Sequence, residues 1–88
     1  MFDSVEDAVQ AFRDAAAAHH GARDRGDTTG MDAAAEHIRG IVEFLHAGRH
    51  AHLVFPLTME WATAGRDDAE HANYRAQVAA LLAAEAPS

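Results

Sequence analysis

The sequence predicts an all-α fold, a small single-domain bundle of about four helices with short connections. Alanine occupies 22 of the 88 positions, and Val, Ile, Leu, Met and the aromatic residues together occupy 21. Alanine favours helix strongly but carries little apolar area, so helices should form readily around a thin core. Four segments show apolar residues at helical spacing, and three of them open with Ser/Thr/Asp-x-x-Asp/Glu, the spacing of helix N-caps. We therefore expect residues 1–88 to form one helical domain.

The first helix is predicted over residues 5–20, with an extension to residue 25. Ser4 precedes Asp7 by three positions, which is the spacing of a capping box. The apolar residues that follow fall on one face, and the charged residues fall on the opposite face. Gly26 is the first clear helix break, so the extension remains open up to that point.

The second helix is predicted over residues 31–47 and has the clearest amphipathic pattern in the chain. Thr29 and Asp32 repeat the capping spacing, and Gly48 is the expected C-terminal cap. Its apolar stripe consists of Met31, Ala34, Ile38, Ile41, Val42 and Leu45.

The third segment, residues 53–64, is ambiguous because Leu53 to Leu57 also fits a short strand interrupted by Pro56. We favour a helix in which His52 is the N-cap. Pro56 then lies in the first turn, where a missing N–H leaves no hydrogen bond unmade. This helix is apolar on more than one face.

The fourth helix is predicted over residues 68–85. Asp67 and Glu70 supply a complete capping box at its start, and Pro87 follows its expected end. Its inward stripe is expected to contain His71, Tyr74, Val78, Leu81 and Leu82.

Composition excludes several classes of function. The chain has seven Arg, no Lys and 14 acidic residues, a formal charge of −7 that opposes binding to nucleic acid. No segment approaches the roughly 18 apolar residues of a membrane span, and no secretory signal pattern opens the chain. Cysteine is absent, which removes disulfides and thiolate metal sites. We expect a soluble cytoplasmic protein that contacts neither nucleic acid nor membrane.

The residue pattern gives little support for an enzyme, and it predicts no catalytic residue and no cofactor. No phosphate-binding glycine loop or His-Glu-x-x-His motif occurs, and no Ser or Thr has a marked basic neighbour. His19 and His71 lie on or beside apolar stripes. We expect both to be partly buried and hydrogen-bonded to a backbone carbonyl or a carboxylate, and a catalytic base is the alternative.

Glu43, His46 and His50 are the candidate metal ligands. On one helix they would project from the same side, and His residues four apart can clamp a divalent metal. Arg39 on the same face repels cations, so we interpret this face as solvated and expect no tightly bound metal. The alternative function is a His/Glu metal-binding bundle with its site shared across a dimer.

Phe55, Met59 and Trp61 are the candidate binding residues. Aromatic residues and Met are enriched at interface cores, and a helix with two apolar faces can bury only one against a thin core. The alternative is that the other helices cover both faces. We therefore predict a small acidic interaction or regulatory module of the immunity, inhibitor or docking type. It would bind a protein partner or form a homodimer through a patch on the third helix, framed by acidic residues such as Glu60.

Overall fold

The computed structural model describes residues 2–85 and confirms the all-α prediction. Its four helices are α1 (Val5–Asp24), α2 (Thr28–Ala47), α3 (Val54–Thr63) and α4 (Asp68–Glu85). A 3₁₀ turn, Ala51–Leu53, leads directly into α3. The described part of the chain contains no strand, so the strand alternative for Leu53 to Leu57 is excluded.

α1 begins as predicted and includes nearly all of the predicted extension. The Ser4 side chain accepts a hydrogen bond from the Asp7 backbone N–H at 3.2 Å. At the other end, Gly26 adopts a left-handed conformation with φ of 69°. The Asp27 N–H then donates to the Ala22 carbonyl at 2.8 Å, which closes the helix in a Schellman motif.

α2 begins three residues earlier than predicted, and the assignment of Thr29 as its N-cap is wrong. The cap is Asp27, whose side chain accepts from the Gly30 N–H at 2.9 Å. Gly26 ends α1 in a left-handed turn, and the next residue, Asp27, already caps the N-terminus of α2. Thr28 and Thr29 consequently lie inside α2.

The end of α2 falls at Ala47 as predicted, with Gly48 as C-cap. Gly48 nevertheless has φ of −88°, and the left-handed residue is Arg49, with φ of 65°. The His50 N–H donates to the Leu45 carbonyl at 2.7 Å and completes a second Schellman motif. His50 therefore lies beyond the helix, in the turn that follows.

α3 forms where predicted, but His52 is not its N-cap. The 3₁₀ turn places His52 inside helical structure and leaves α3 without a side-chain cap. Pro56 is the third residue of α3, within the first turn, where proline is tolerated. At the start of α4, the Asp67 side chain accepts from the Glu70 N–H at 3.1 Å, as its capping spacing predicts.

The helices pair in sequence order. α1 packs mainly against α2, α3 packs mainly against α4, and the two hairpins join where α1 meets α3. The largest fully buried side chains are Val9, Phe12, Ile41, Leu45, Leu53, Leu57 and Val78. The molecule is a plate of 45 × 31 × 15 Å, and 15 Å accommodates at most two helix layers about 10 Å apart. Many large side chains are therefore only half-buried.

Among residues 2–85, no helix combines the length and the apolar character needed to cross a bilayer.

Candidate functional site

α3 lies between α1 and α4, and its two flanks form the two surfaces that could bind a ligand. Glu60 is the one charged residue of the helix, and it is only 4% exposed. The side chains of α3 that reach solvent are uncharged. They are Val54, Phe55, Thr58, Met59, Trp61, Ala62 and Thr63.

One surface is the outward side of α3, which we call the α3 outer face, made of Phe55, Thr58, Met59 and Ala62. Phe55 is 63% exposed and is the one exposed large hydrophobic residue in the described part of the chain. Its ring meets Tyr74 of α4 edge to face, with 6.1 Å between the centroids. Met59 follows one turn later and is half-buried. The α3 outer face is thus apolar, uncharged and open to solvent.

Trp61 belongs to the opposite flank of α3. Its half-buried ring contacts His19 edge to face at a centroid distance of 4.9 Å, and Phe12 at 6.4 Å. Trp61 follows Phe55 by six residues, and at about 100° per residue the two side chains lie roughly 120° apart around the helix. The structure therefore brings Phe55 and Met59 onto one face, and places Trp61 against α1.

Arg13 and Glu60 form a two-pronged ion pair between α1 and α3. Arg13 Nε donates to Glu60 Oε1 at 3.0 Å, and Nη2 donates to Oε2 at 2.9 Å. The side chains are 24% and 5% exposed, respectively. Glu60 therefore ties two helices together and does not frame an exposed patch, which differs from the expectation drawn from its sequence position.

Two histidines hold α3 by its backbone. His71 Nδ1 donates to the Glu60 carbonyl at 3.0 Å, which confirms the prediction for His71. His20 Nε2 donates to the Trp61 carbonyl at 2.9 Å. The predicted hydrogen bond of His19 is absent among the described residues, because its buried Nδ1 has no partner and its ring packs on Trp61 instead. The sequence does not predict the hydrogen bond of His20, because only the position of α3 beside α1 shows that His20 reaches the Trp61 carbonyl.

A cavity of about 160 Å³ lies where α1 meets the α3–α4 hairpin. It is lined by Phe12, Arg13, Ala16, Ala17, Leu57, Glu60, Trp61, Ala64, His71 and Arg75. Apolar groups form most of its wall. Arg13 and Glu60 neutralise each other, whereas Arg75 makes no ion pair with any carboxylate of residues 2–85. The cavity therefore combines apolar walls with one uncompensated positive charge.

The candidate metal ligands are not assembled. Glu43 and His46 are exposed on α2, while His50 lies in the following turn. His50 Nδ1 and His52 Nε2 instead contact the same oxygen, Glu85 Oε1, at 2.9 and 2.6 Å. Within residues 2–85 no group of three potential ligands is arranged to hold a metal ion. Glu85 follows His50 by 35 residues in the sequence, so no local sequence pattern indicates this contact.

Comparison of the chain with known protein families, curated proteins and solved structures finds no significant match.

Proposed function

We propose that this chain is a helical self-association module, in which the α3 outer face pairs with the same face of a second copy. The observation that carries the proposal is the exposure of Phe55, 63% of whose surface meets solvent. Covering one such side chain contributes about 2 kcal/mol per chain from apolar area alone. Aromatic side chains of this kind anchor many protein interfaces.

Charge favours a second copy over a basic partner. A two-fold interface places identical patches opposite each other, so a charge on the patch would face a charge of the same sign on the second copy. None of the four residues of the α3 outer face is charged, although Arg23 and Arg66 border Thr58 and Ala62 and the whole chain carries −7. A basic protein would find no carboxylate on this face, because Glu60 is buried and paired with Arg13.

The shape of the molecule also supports pairing. A stable interface typically buries about 800 Å² per partner. The accessible surface of this chain is 5479 Å². The two longer dimensions of the molecule, 45 and 31 Å, define a face larger than the area that such an interface buries per partner. In such a dimer, the α3–α4 hairpins of the two copies would cover each other's α3 outer face.

The test is the molar mass of wild type and variants in solution, measured by light scattering over a range of concentrations. We expect wild type to approach the dimer mass and Phe55→Asp to remain at the monomer mass, because two buried carboxylates would face each other. The helical circular dichroism of Phe55→Asp should be unchanged, since the side chain is exposed. Ala72→Asp is the matched control, with the same added charge at an exposed position of α4.

A wild type that stays monomeric at millimolar concentration contradicts the proposal. So does dissociation of equal extent in Phe55→Asp and Ala72→Asp, since that result would reflect total charge and not the α3 outer face.

A further inference from the structure

We propose that the cavity between α1, α3 and α4 is a binding site for a small aromatic monocarboxylate. The ring would lie against Trp61, Ala17 and Ala64, above the fully buried Phe12 and Leu57, and the carboxylate would meet Arg75. This inference does not rest on self-association, because the cavity uses none of the side chains of the α3 outer face.

The size of the cavity sets the size of the ligand. A dry apolar cavity of about 150 Å³ accommodates a benzene ring. The cavity here measures about 160 Å³ and is open to solvent on one side, with Phe12 and Leu57 buried beneath its floor and Trp61 at its wall. A single six-membered ring with one small substituent therefore matches the space.

The charged residues that line the cavity favour an anionic ligand. Glu60 already receives two hydrogen bonds from Arg13, so neither member of that pair offers a free charge. His71 Nδ1 is engaged with the Glu60 carbonyl. Arg75 is left as a guanidinium without a carboxylate partner among the described residues, and it can hold a carboxylate by charge-assisted hydrogen bonds. One unpaired cation matches one negative charge, and the nearby Glu60 carboxylate disfavours a second.

The single tryptophan of the chain provides the reporter. Because Trp61 lines the cavity, titration with benzoate should change its fluorescence in a saturable way, with a dissociation constant on the order of 1 mM for so small a ligand. Benzyl alcohol has a similar shape and no charge, and it should bind about fivefold more weakly. Shifts of the Ala16 and Leu57 methyl resonances provide a second measurement that does not depend on the indole.

Arg75→Gln should raise the dissociation constant for benzoate about fivefold, a modest factor because Arg75 is exposed. Arg66→Gln is the matched control. Arg66 is also exposed and lines a shallow depression beside Trp61, but it does not line the cavity. Its substitution should leave the benzoate constant unchanged.

The proposal is overturned if benzoate causes no saturable change in either signal. It is equally overturned if benzyl alcohol binds as tightly as benzoate, or if Arg66→Gln weakens binding as much as Arg75→Gln. A benzoate effect that survives in Phe55→Asp shows that the cavity acts independently of pairing through the α3 outer face.

Discussion

Arg13 and Glu60 lie 47 residues apart in the sequence and meet through two parallel hydrogen bonds, with the carboxylate almost fully buried. Removal of a carboxylate from water is costly, and the cost is offset only when a well-oriented cation and its hydrogen bonds are present. The pair therefore makes the joint between the two helical hairpins depend on charge as well as on apolar packing.

Arg13→Ala should lower the free energy of unfolding by about 3 kcal/mol, because it leaves the buried Glu60 charge without a partner. Arg25→Ala removes one member of the exposed Arg25–Asp27 pair and should cost less than about 0.5 kcal/mol. Urea denaturation followed by circular dichroism measures both. The double variant Arg13→Met/Glu60→Leu should recover most of the loss, and equal costs for the two single variants would contradict the assignment.

The cap of α2 can be tested at two neighbouring positions. Asp27→Ala should cost about 1 kcal/mol, since the Gly30 N–H loses its acceptor. Thr29→Ala should change stability by less than about 0.5 kcal/mol, because Thr29 lies inside the helix. Thermal melts compare them directly. If Thr29→Ala proved the more costly change, Asp27 would not be the cap.

Arg49→Gly should stabilise the protein by about 0.5 kcal/mol. Arg49 has φ of 65°, a conformation that costs a residue with a Cβ about 1–2 kcal/mol, and part of this gain is offset by the greater freedom of glycine in the unfolded chain. Gly65→Ala is the converse control, because Gly65 has φ of 73° and should lose about 1 kcal/mol. A rise in melting temperature for one and a fall for the other is the expected pair of results.

Glu85→Ala should loosen the last turn of α4. The Glu85 carboxylate accepts a hydrogen bond from His50 and lies within ion-pair distance of His52, and loss of the hydrogen bond alone is worth about 1 kcal/mol. Amide hydrogen exchange near Leu82 should therefore accelerate about tenfold, while amides near Val9 in α1 keep their protection. Glu70→Ala at the exposed start of α4 is the control, and unchanged exchange near Leu82 in Glu85→Ala would contradict the role of this contact.

The features that could be predicted from sequence are those set by neighbours a few residues apart. The caps at Ser4 and Asp67 depend on a side chain and an amide three positions away, and both are present. The apolar stripe of α2 is likewise a local pattern, and its buried members are Ala34, Ile38, Ile41 and Leu45. The α2 cap was misplaced because Asp27 and Thr29 are both suitable residues, and only the left-handed turn at Gly26 selects between them.

The arrangement of the candidate site depends on contacts between residues far apart in the sequence. The sequence predicts Phe55, Met59 and Trp61 as binding residues of a short helix, but it does not show that Trp61 faces α1 while Phe55 remains exposed. Likewise, the Glu43, His46 and His50 pattern suggested one ligand face, and the turn at Arg49 separates His50 from the other two.

The sequence by itself determined the fold class, the helix boundaries to within about four residues and the absence of thiol chemistry, because composition and short-range spacing are sufficient for these. The tertiary structure alone decided that Glu60 is buried against Arg13, that Arg75 makes no ion pair with a carboxylate of residues 2–85, and that Phe55 is left exposed. Each of these depends on how α1 and α4 are placed on either side of α3. That placement results from packing between residues far apart in the chain, which local spacing does not encode.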